Sequence, residues 1–255
     1  MKKRYAIITD IHGNIEGLTA ILDDISKKNI DEILCLGDII GIGPDSKECI
    51  DKMIELNIKS ILGNHELYVL RGTGIDKSIE NEEKKHHEWI KNSLTKKELD
   101  YINSCSLYYE LDIKDNNLKN KKIILSHYLI KDKTLKQPFE EGHLKKNINL
   151  WIDYNDKNTT YVIGHLHRLF DINEVEGIKN NIIEKINESP NIELVGSGGC
   201  SYDEYVSYMI IEIDKTIKYE HVKVKFDRKS FITKIKELDF PDKKNIMKYF
   251  YGIEI

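Results

Sequence analysis

The first third of the chain alternates short apolar runs with amphipathic segments, and this alternation constrains the fold most. Residues 5–8, 33–36 and 58–62 are apolar runs of strand length, each followed by a turn signal. Apolar residues recur at helical spacing from Ile15 to Ile25 after the cap residue Asn14, and again over residues 49–56. Strands that alternate with helices pair in parallel through right-handed crossovers. The start of the chain therefore predicts an open α/β sheet.

The later part of the chain is less purely parallel. Apolar runs return at residues 123–125, 161–163 and 192–195, and residues 206–213 and 216–224 predict an antiparallel hairpin. Two short helices are predicted in the tail, the second from Pro241 to Gly252. We expect an α/β two-sheet sandwich flanked by helices. The predicted domain covers residues 1–225, with a polar helical insert at 77–104, and a two-helix extension covers 226–255.

Composition narrows the class of protein. The 255 residues include 39 basic and 43 acidic side chains, so the chain lacks the basic footprint of a dedicated nucleic-acid binder. Four widely spaced cysteines without a Cys-x-x-Cys pair predict buried, reduced thiols. No apolar stretch approaches the roughly 20 residues of a membrane span, and the first apolar run is too short for a signal peptide. We expect a soluble cytoplasmic protein with no membrane partner; the oligomeric state stays open.

Five polar motifs each follow a predicted strand. They are Asp10-Ile11-His12, Gly37-Asp38, Gly63-Asn64-His65-Glu66, His127 and Gly164-His165-Leu166-His167. Ligand and catalytic groups of open α/β sheets collect at the carboxyl ends of strands, so these side chains should meet in one crevice. Each motif taken alone is explained well by residues that form a turn or by a histidine that packs in the core. Together they hold five of the nine histidines, which favours a metal site. His86 and His87, by contrast, read as a solvated helix face.

The order of these motifs resembles that of the calcineurin-like metallophosphoesterase superfamily, and the start of the chain resembles its compact prokaryotic phosphodiesterase branch. The motifs span residues 10–167. The resemblance implies two divalent metal ions, with Asp38 bridging them. The implied ligands of the first metal are Asp10, His12 and His167, and those of the second are Asn64, His127 and His165. His65 would lie over the phosphate as an acid or electrostatic stabiliser, so His65 and Asp38 are the predicted catalytic residues.

The chemistry of these side chains agrees with that assignment. Two cations about 3.5–4 Å apart need a bridging anion, and a carboxylate supplies one. A hydroxide that bridges the ions would attack phosphorus while the metals stabilise charge on the phosphate oxygens. Mixed carboxylate, amide and imidazole ligands suit Mn, Fe, Ni, Co or Zn. Because none of the predicted ligands is a thiolate, a structural zinc site is not expected.

The predicted substrate is a small phosphodiester or nucleotide. Protein serine/threonine phosphatases of this superfamily carry an Arg soon after Gly-Asp, whereas residues 39–44 contain none. Arg71, Arg168 and Tyr128 are weaker candidates for substrate contact, with surface solvation or packing as the alternative for each. The loop at residues 194–199 resembles the Asn-Pro-Gly-Ser turn of small phosphodiesterases, but its altered sequence leaves its contact with the site open.

Two rival functions share the same fold. Some relatives are nucleases, although the balanced charge weakens that hypothesis because binding of a phosphate backbone draws on clustered Lys and Arg. Others are non-catalytic scaffolds that have lost metal ligands. All seven candidate ligands are present in this chain, which favours the enzyme.

Overall fold

The computed structural model describes residues 2–75, 79–113, 116–128, 158–167 and 192–255. Within these ranges nine strands and seven α-helices are present. The strands are β1 Lys3–Ile8, β2 Glu32–Cys35, β3 Lys59–Ser60, β4 Tyr108–Glu110, β5 Lys122–Ser126, β6 Thr159–Ile163, β7 Ile192–Leu194, β8 Tyr205–Ile213 and β9 Ile217–Lys225. The helices are α1 Ile15–Ile25, α2 Ser46–Glu55, α3 Asn64–Arg71, α4 Asn81–Ser93, α5 Lys96–Ser104, α6 Arg228–Glu237 and α7 Lys243–Tyr251.

The described strands form two sheets. The first has the order β3-β2-β1-β8-β9, in which β1, β2 and β3 are parallel and β8 and β9 are antiparallel to their neighbours. The second has the order β4-β5-β6-β7, in which β5, β6 and β7 are parallel and β4 is antiparallel to β5. The parallel start, the later hairpin and the α/β two-sheet architecture are thus confirmed.

Strand β1 separates two apolar cores because its side chains alternate between the two faces of the sheet. Tyr5 and Ile7 join a core that includes Leu125 of β5 and Val162 of β6, and this core lies between the sheets. Ala6 and Ile8 join the opposite core, which is formed with the helices. With both faces covered, the carboxyl end of β1 is held inside the molecule, where Asp10 is fully buried.

The two C-terminal helices pack into the helix-side core through Phe231, Met247 and Tyr251. The last helix begins at Lys243, two residues later than predicted, and ends before Gly252, whose φ of 67° suits glycine. Since these helices share a core with β1, they are integral to the packing of the sheet. The domain boundary near residue 225 stays a prediction.

Helices α4 and α5 occupy most of the segment predicted as a helical insert. The interpretation of His86 and His87 as a solvated face was wrong, since each is only 2% exposed. The His86 ring packs 5.7 Å from the Trp89 ring and 5.5 Å from the Phe240 ring, so the segment between α6 and α7 covers this face. Across the described ranges, no helix has the length and apolar character needed to cross a membrane.

Candidate metal centre

The strand-end motifs converge on one buried site. Asp10 and His12 follow β1, Asp38 follows β2, and Asn64 begins α3. The remaining candidate ligands, His127, His165 and His167, follow β5 and β6. Four of the seven candidates have left-handed φ values: Asp10 at 52°, His12 at 50°, Asp38 at 50° and His165 at 65°. Such non-glycine conformations cost about 1–3 kcal/mol each and cluster at functional sites, so the backbone here is organised for the site.

One group of ligand atoms gathers around Asn64. The Nδ1 atom of His127 lies 2.8 Å from the Leu36 carbonyl, so a neutral ring donates there and presents its Nε2 lone pair. That Nε2 atom lies 3.0 Å from Asp38 Oδ2 and 3.1 Å from Asn64 Oδ1. The His165 Nδ1 atom lies 3.2 Å from the same amide oxygen. Acceptor atoms from four side chains thus face one another.

A second group gathers around His12. Its Nδ1 atom lies 3.2 Å from the Ile40 carbonyl, which leaves Nε2 to face His167 Nε2 at 2.8 Å. Asp10 Oδ1 lies 3.6 Å from the His12 Nε2 atom and 3.3 Å from the His167 Nε2 atom. Asp38 Oδ2 lies 3.8 Å from His12 Nε2 and so belongs to both groups. A carboxylate that bridges two metal ions must lie between both groups in this way. The bridging role of Asp38 stays a prediction.

The charges of the two groups favour bound cations. Burial opposes ionisation of Asp38, yet the neighbouring His127 and His65 rings hold its pKa below the ordinary value. The pKa of Asp10 is likewise lowered in spite of burial, through its contacts with His12 and His167. Burial lowers the pKa of His127, but Asp38 more than offsets this and raises it to about 9, so a bound cation would displace the Nε2 proton and the ring would then be neutral. Two buried carboxylates among imidazole lone pairs therefore fit a pair of divalent ions.

His65 lies beside both groups. Its backbone N–H donates to Asp38 Oδ1 at 2.9 Å, and its Nε2 atom lies 4.0 Å from Asp38 Oδ2. Its Nδ1 atom is buried without a hydrogen-bond partner among the described residues. Burial lowers the pKa of the ring well below its ordinary value, although Asp38 acts in the opposite direction. The ring packs 4.8 Å from the His12 ring and 4.9 Å from the His87 ring.

The sequence motif contained Glu66 without a role, and the structure gives it one. Its carboxylate accepts the backbone N–H groups of Asp38 and Gly63 at 2.8 Å each and that of Ile39 at 2.8 Å. Burial and the charge of Asp38 raise its pKa to about 7, while the backbone donors oppose the shift. Glu66 therefore joins the loop that carries Asp38 to the start of α3. The sequence signal for this role was the position of Glu66, three residues after Gly63 in the Gly-Asn-His-Glu motif.

The three weaker candidates for substrate contact, Tyr128, Arg71 and Arg168, are not equivalent in the structure. Tyr128 is 8% exposed, and its ring lies 5.3 Å from the His127 ring and 5.6 Å from the His165 ring. Burial raises the pKa of Tyr128, and the charge of Arg71 acts to lower it. Arg168 lies outside the described residues. Substrate contact by all three stays a prediction.

The loop after β7 contacts the segment that carries Asp10. The Gly198 N–H donates to the Thr9 carbonyl at 2.9 Å, and Ser197 Oγ donates to the Asp10 carbonyl at 2.8 Å. Cys200 follows this loop and forms a group with His12 and His167 in which one ligand atom from each lies within 4.8 Å of the others. Sequence reasoning missed Cys200, because no local pattern in the sequence links it to His12 and His167.

The fold is that of the calcineurin-like phosphoesterases. The family model described as calcineurin-like phosphoesterase matches residues 3–198, and the chain belongs to that family. It is therefore a metal-dependent phosphoesterase of a family that uses two metal ions.

The comparisons with individual proteins are consistent with this membership. An uncharacterized protein of Methanocaldococcus jannaschii, MJ0912, is 31% identical over 255 residues, which cover 95% of this chain and 96% of that protein. The crystal structure of a metallophosphoesterase from Sphaerobacter thermophilus superposes with a TM-score of 0.65 at 21% identity, covering 98% of this chain and all of that one. A symmetrical bis(5'-nucleosyl)-tetraphosphatase of Psychromonas ingrahamii is 39% identical over 67 residues, a quarter of this chain and 24% of that protein.

Proposed function

We propose that this phosphoesterase hydrolyses a small phosphodiester or nucleotide with two divalent ions held at the strand ends. The proposed ligands are Asp10, His12 and His167 for one ion and Asn64, His127 and His165 for the other, with Asp38 shared. The observation that carries the proposal is the approach of His127 Nε2 to Asp38 Oδ2 at 3.0 Å and to Asn64 Oδ1 at 3.1 Å. With His127 Nδ1 donating to Leu36, three acceptors meet where a cation would satisfy all of them.

The protein's own residues would then act as follows. Bound divalent ions supply Lewis acidity and an activated water at neutral pH. Asp38 separates the two ligand groups at a fixed spacing, because Glu66 and the His65 N–H hold its backbone and side chain. His65, next to Asp38 but outside the seven proposed ligands, would donate a hydrogen bond or a proton to the substrate oxygen that departs. The buried walls around Asp10 and Asp38 limit the access of bulk water.

Two observations support a small substrate. The loop after Asp38 offers no cationic group for phosphoprotein recognition, and its Ile39, Ile40 and Ile42 side chains are buried. The local similarity to the symmetrical bis(5'-nucleosyl)-tetraphosphatase favours a nucleotide whose phosphate chain carries two nucleosides. Borderline metals such as Mn, Fe, Ni, Co or Zn suit the nitrogen and oxygen ligands.

The test is an activity panel on metal-free protein reloaded separately with Mn²⁺, Co²⁺ and Zn²⁺. The substrates are bis-p-nitrophenyl phosphate, p-nitrophenyl phosphate, diadenosine tetraphosphate and a phosphoserine peptide. We expect metal-dependent hydrolysis of the diester or the dinucleotide and two ions per chain by elemental analysis. Faster hydrolysis of the phosphopeptide than of every nucleotide and diester would contradict the substrate class. A folded protein that binds no metal would contradict the metal centre itself.

A further inference from the structure

The Cys200 side chain lies beside the first proposed metal position. We propose that its sulfur is an additional ligand there, next to His12 and His167, so that the two metal positions differ in chemistry. This inference rests on the proposed metal centre and goes beyond its seven nitrogen and oxygen ligands. It also replaces the sequence-based interpretation of Cys200 as an inert buried thiol.

The geometry of the group carries the inference. The Cys200 sulfur and one ring nitrogen each from His12 and His167 all lie within 4.8 Å of one another. Zn–N bonds of about 2.1 Å and Zn–S bonds of about 2.3 Å place two ligand atoms of one tetrahedral zinc ion about 3.5 Å apart, so atoms within 4.8 Å need only a small side-chain rotation to share an ion. Asp10 Oδ1, at 3.3 Å from His167 Nε2, and the shared Asp38 Oδ2, at 3.8 Å from His12 Nε2, bring the first position to five donors. Catalytic zinc sites expand to five ligands, so the sulfur does not exceed what the ion accepts.

The backbone fixes Cys200 in this place. Its N–H donates to Ser197 Oγ at 2.8 Å, and the same hydroxyl donates to the Asp10 carbonyl at 2.8 Å. The preceding Gly199 lies so close to the Ile11 backbone that a Cβ atom there would come within 1.8 Å of the Ile11 carbonyl oxygen. The loop with the sulfur is therefore tied to the loop with Asp10 and His12, as positioning of a metal ligand requires.

A second buried polar group, the hydroxyl of Tyr251, lies near Cys200. The Tyr251 side chain is 1% exposed, and its hydroxyl has no hydrogen-bond partner within the described part of the chain. It lies close enough to Cys200 to interact with the sulfur. A buried phenol directed at a sulfur that carries negative charge is satisfied, whereas the same phenol beside an apolar residue would be left unpaired.

The consequence is a pair of metal positions with different preferences. Sulfur ligands favour Zn²⁺ and other thiophilic ions, whereas Asn64, His127 and His165 form a nitrogen and oxygen set that also accepts Mn²⁺. The first position should therefore retain zinc or cobalt under conditions in which the second position exchanges its ion.

The test follows cobalt binding by spectroscopy and does not depend on turnover. Metal-free protein is titrated with Co²⁺, and the sulfur-to-cobalt charge-transfer band in the near ultraviolet is recorded together with the cobalt content. We expect the band in the wild type and in Cys49→Ser, whose buried thiol on α2 belongs to none of the groups of candidate metal ligands in the described part of the chain. Cys200→Ser and Cys200→Ala should lose the band while they still bind cobalt at the second position.

The outcomes separate the two proposals. Two cobalt ions per chain without a charge-transfer band in the wild type would overturn the sulfur ligand and leave the metal centre intact. A band that persists in Cys200→Ser would also overturn it. Should neither Cys200 variant fold, the wild-type band and its loss on addition of one equivalent of Zn²⁺ still decide the question. No cobalt binding to folded protein would overturn both proposals.

Discussion

The carboxylate of Glu66 accepts the backbone N–H of Asp38 at 2.8 Å, although the two residues follow different strands. The same carboxylate accepts the N–H of Gly63, immediately before Asn64. One buried side chain thus fixes the distance between the proposed bridging ligand and a ligand of the second metal. Because several backbone donors converge on it, its loss would leave buried N–H groups without acceptors.

Replacing Glu66 with Gln should therefore weaken both stability and metal binding. The amide keeps one acceptor oxygen but turns an NH₂ group toward backbone donors. We expect the free energy of unfolding to fall by about 1.5–3 kcal/mol, the range for a lost hydrogen bond to a charged group. Metal content per chain should also fall. Denaturant unfolding of metal-free protein and elemental analysis measure the two effects.

A matched control is Glu98→Gln. Glu98 is 1% exposed and accepts the Thr95 N–H at 2.7 Å at the start of α5, away from the metal ligands. It should lose stability while it keeps both metals. Equal metal loss in the two variants would show that Glu66 acts only through global stability.

The candidate ligands could be predicted from the sequence because strand ends with glycine and polar residues carry a local signal. Asp10, Asp38 and His165 each follow an apolar run, and the parallel topology brings such ends together. The hairpin of β8 and β9 was likewise visible from alternating apolar residues. These features depend on local pattern and on a small set of allowed topologies.

The positions of His87 and Cys200 could not be predicted in this way. The polar sequence of α4 favours an exposed helix, yet Phe240, more than 150 positions later, packs on His86. The rings of His65 and Tyr68 pack on His87. Cys200 meets His12 only through the loop that packs on Ile11. Both are contacts between distant segments whose sequences carry no periodic signal for one another.

Asp38→Ala should remove at least one metal and nearly all activity. The substitution deletes the carboxylate that lies near both His12 and His127, so two cations would face each other without the anion between them. We expect a rate loss of at least about 10²–10³-fold, the loss typical of removing a charge-stabilising group from an active site. The surface variant Asp51→Ala, which only breaks ion pairs with Lys47 and Lys97, should keep metal and rate. Unchanged turnover in Asp38→Ala would refute the assignment.

His86→Phe should make the protein less sensitive to acid. Burial lowers the pKa of His86 to about 3, whereas an unfolded histidine titrates near about 6.5. Between these values the unfolded chain binds the extra proton, so stability is full above about pH 6.5 and is lost as the pH falls. At pH 5 this loss approaches about 2 kcal/mol.

Phe cannot titrate and can pack on Trp89 and Phe240 in the same place. The difference in the free energy of unfolding between pH 7 and pH 5 should therefore be smaller in the variant than in the wild type. Denaturant unfolding at the two pH values measures it. An unchanged difference would mean that His86 is protonated in the folded chain at pH 5.

Gly199→Ala should destabilise the loop that carries Cys200. The new methyl group would meet the Ile11 carbonyl, so the two loops would have to separate. Overpacking of this kind costs typically about 1–3 kcal/mol. Gly74→Ala is the control, because its methyl group would enter open space. Thermal unfolding compares the two, and equal melting temperatures would show that the loops separate without cost.

His65→Asn should keep both metals and lose activity in a way that depends on the leaving group. The His65 backbone N–H bonds to Asp38, but its ring is outside the seven proposed ligands, so metal content should not change. A substrate phosphate brings negative charge next to the buried ring and thereby favours its protonated form. An alkoxide leaving group needs a proton as its bond to phosphorus breaks, and general acid help is worth about 10²–10⁴-fold.

An aryl leaving group such as p-nitrophenolate departs with little such help. We therefore expect a large loss of rate on alkyl or ribose esters and a smaller loss on p-nitrophenyl esters. The measurement pairs elemental analysis with rates on the two ester types, and the exposed His221→Asn serves as a control for loss of a histidine remote from the ligands. Loss of one metal in His65→Asn would make His65 a ligand. Equal losses on both ester types would make it a phosphate-binding group, because only an acid distinguishes leaving groups by their need for a proton.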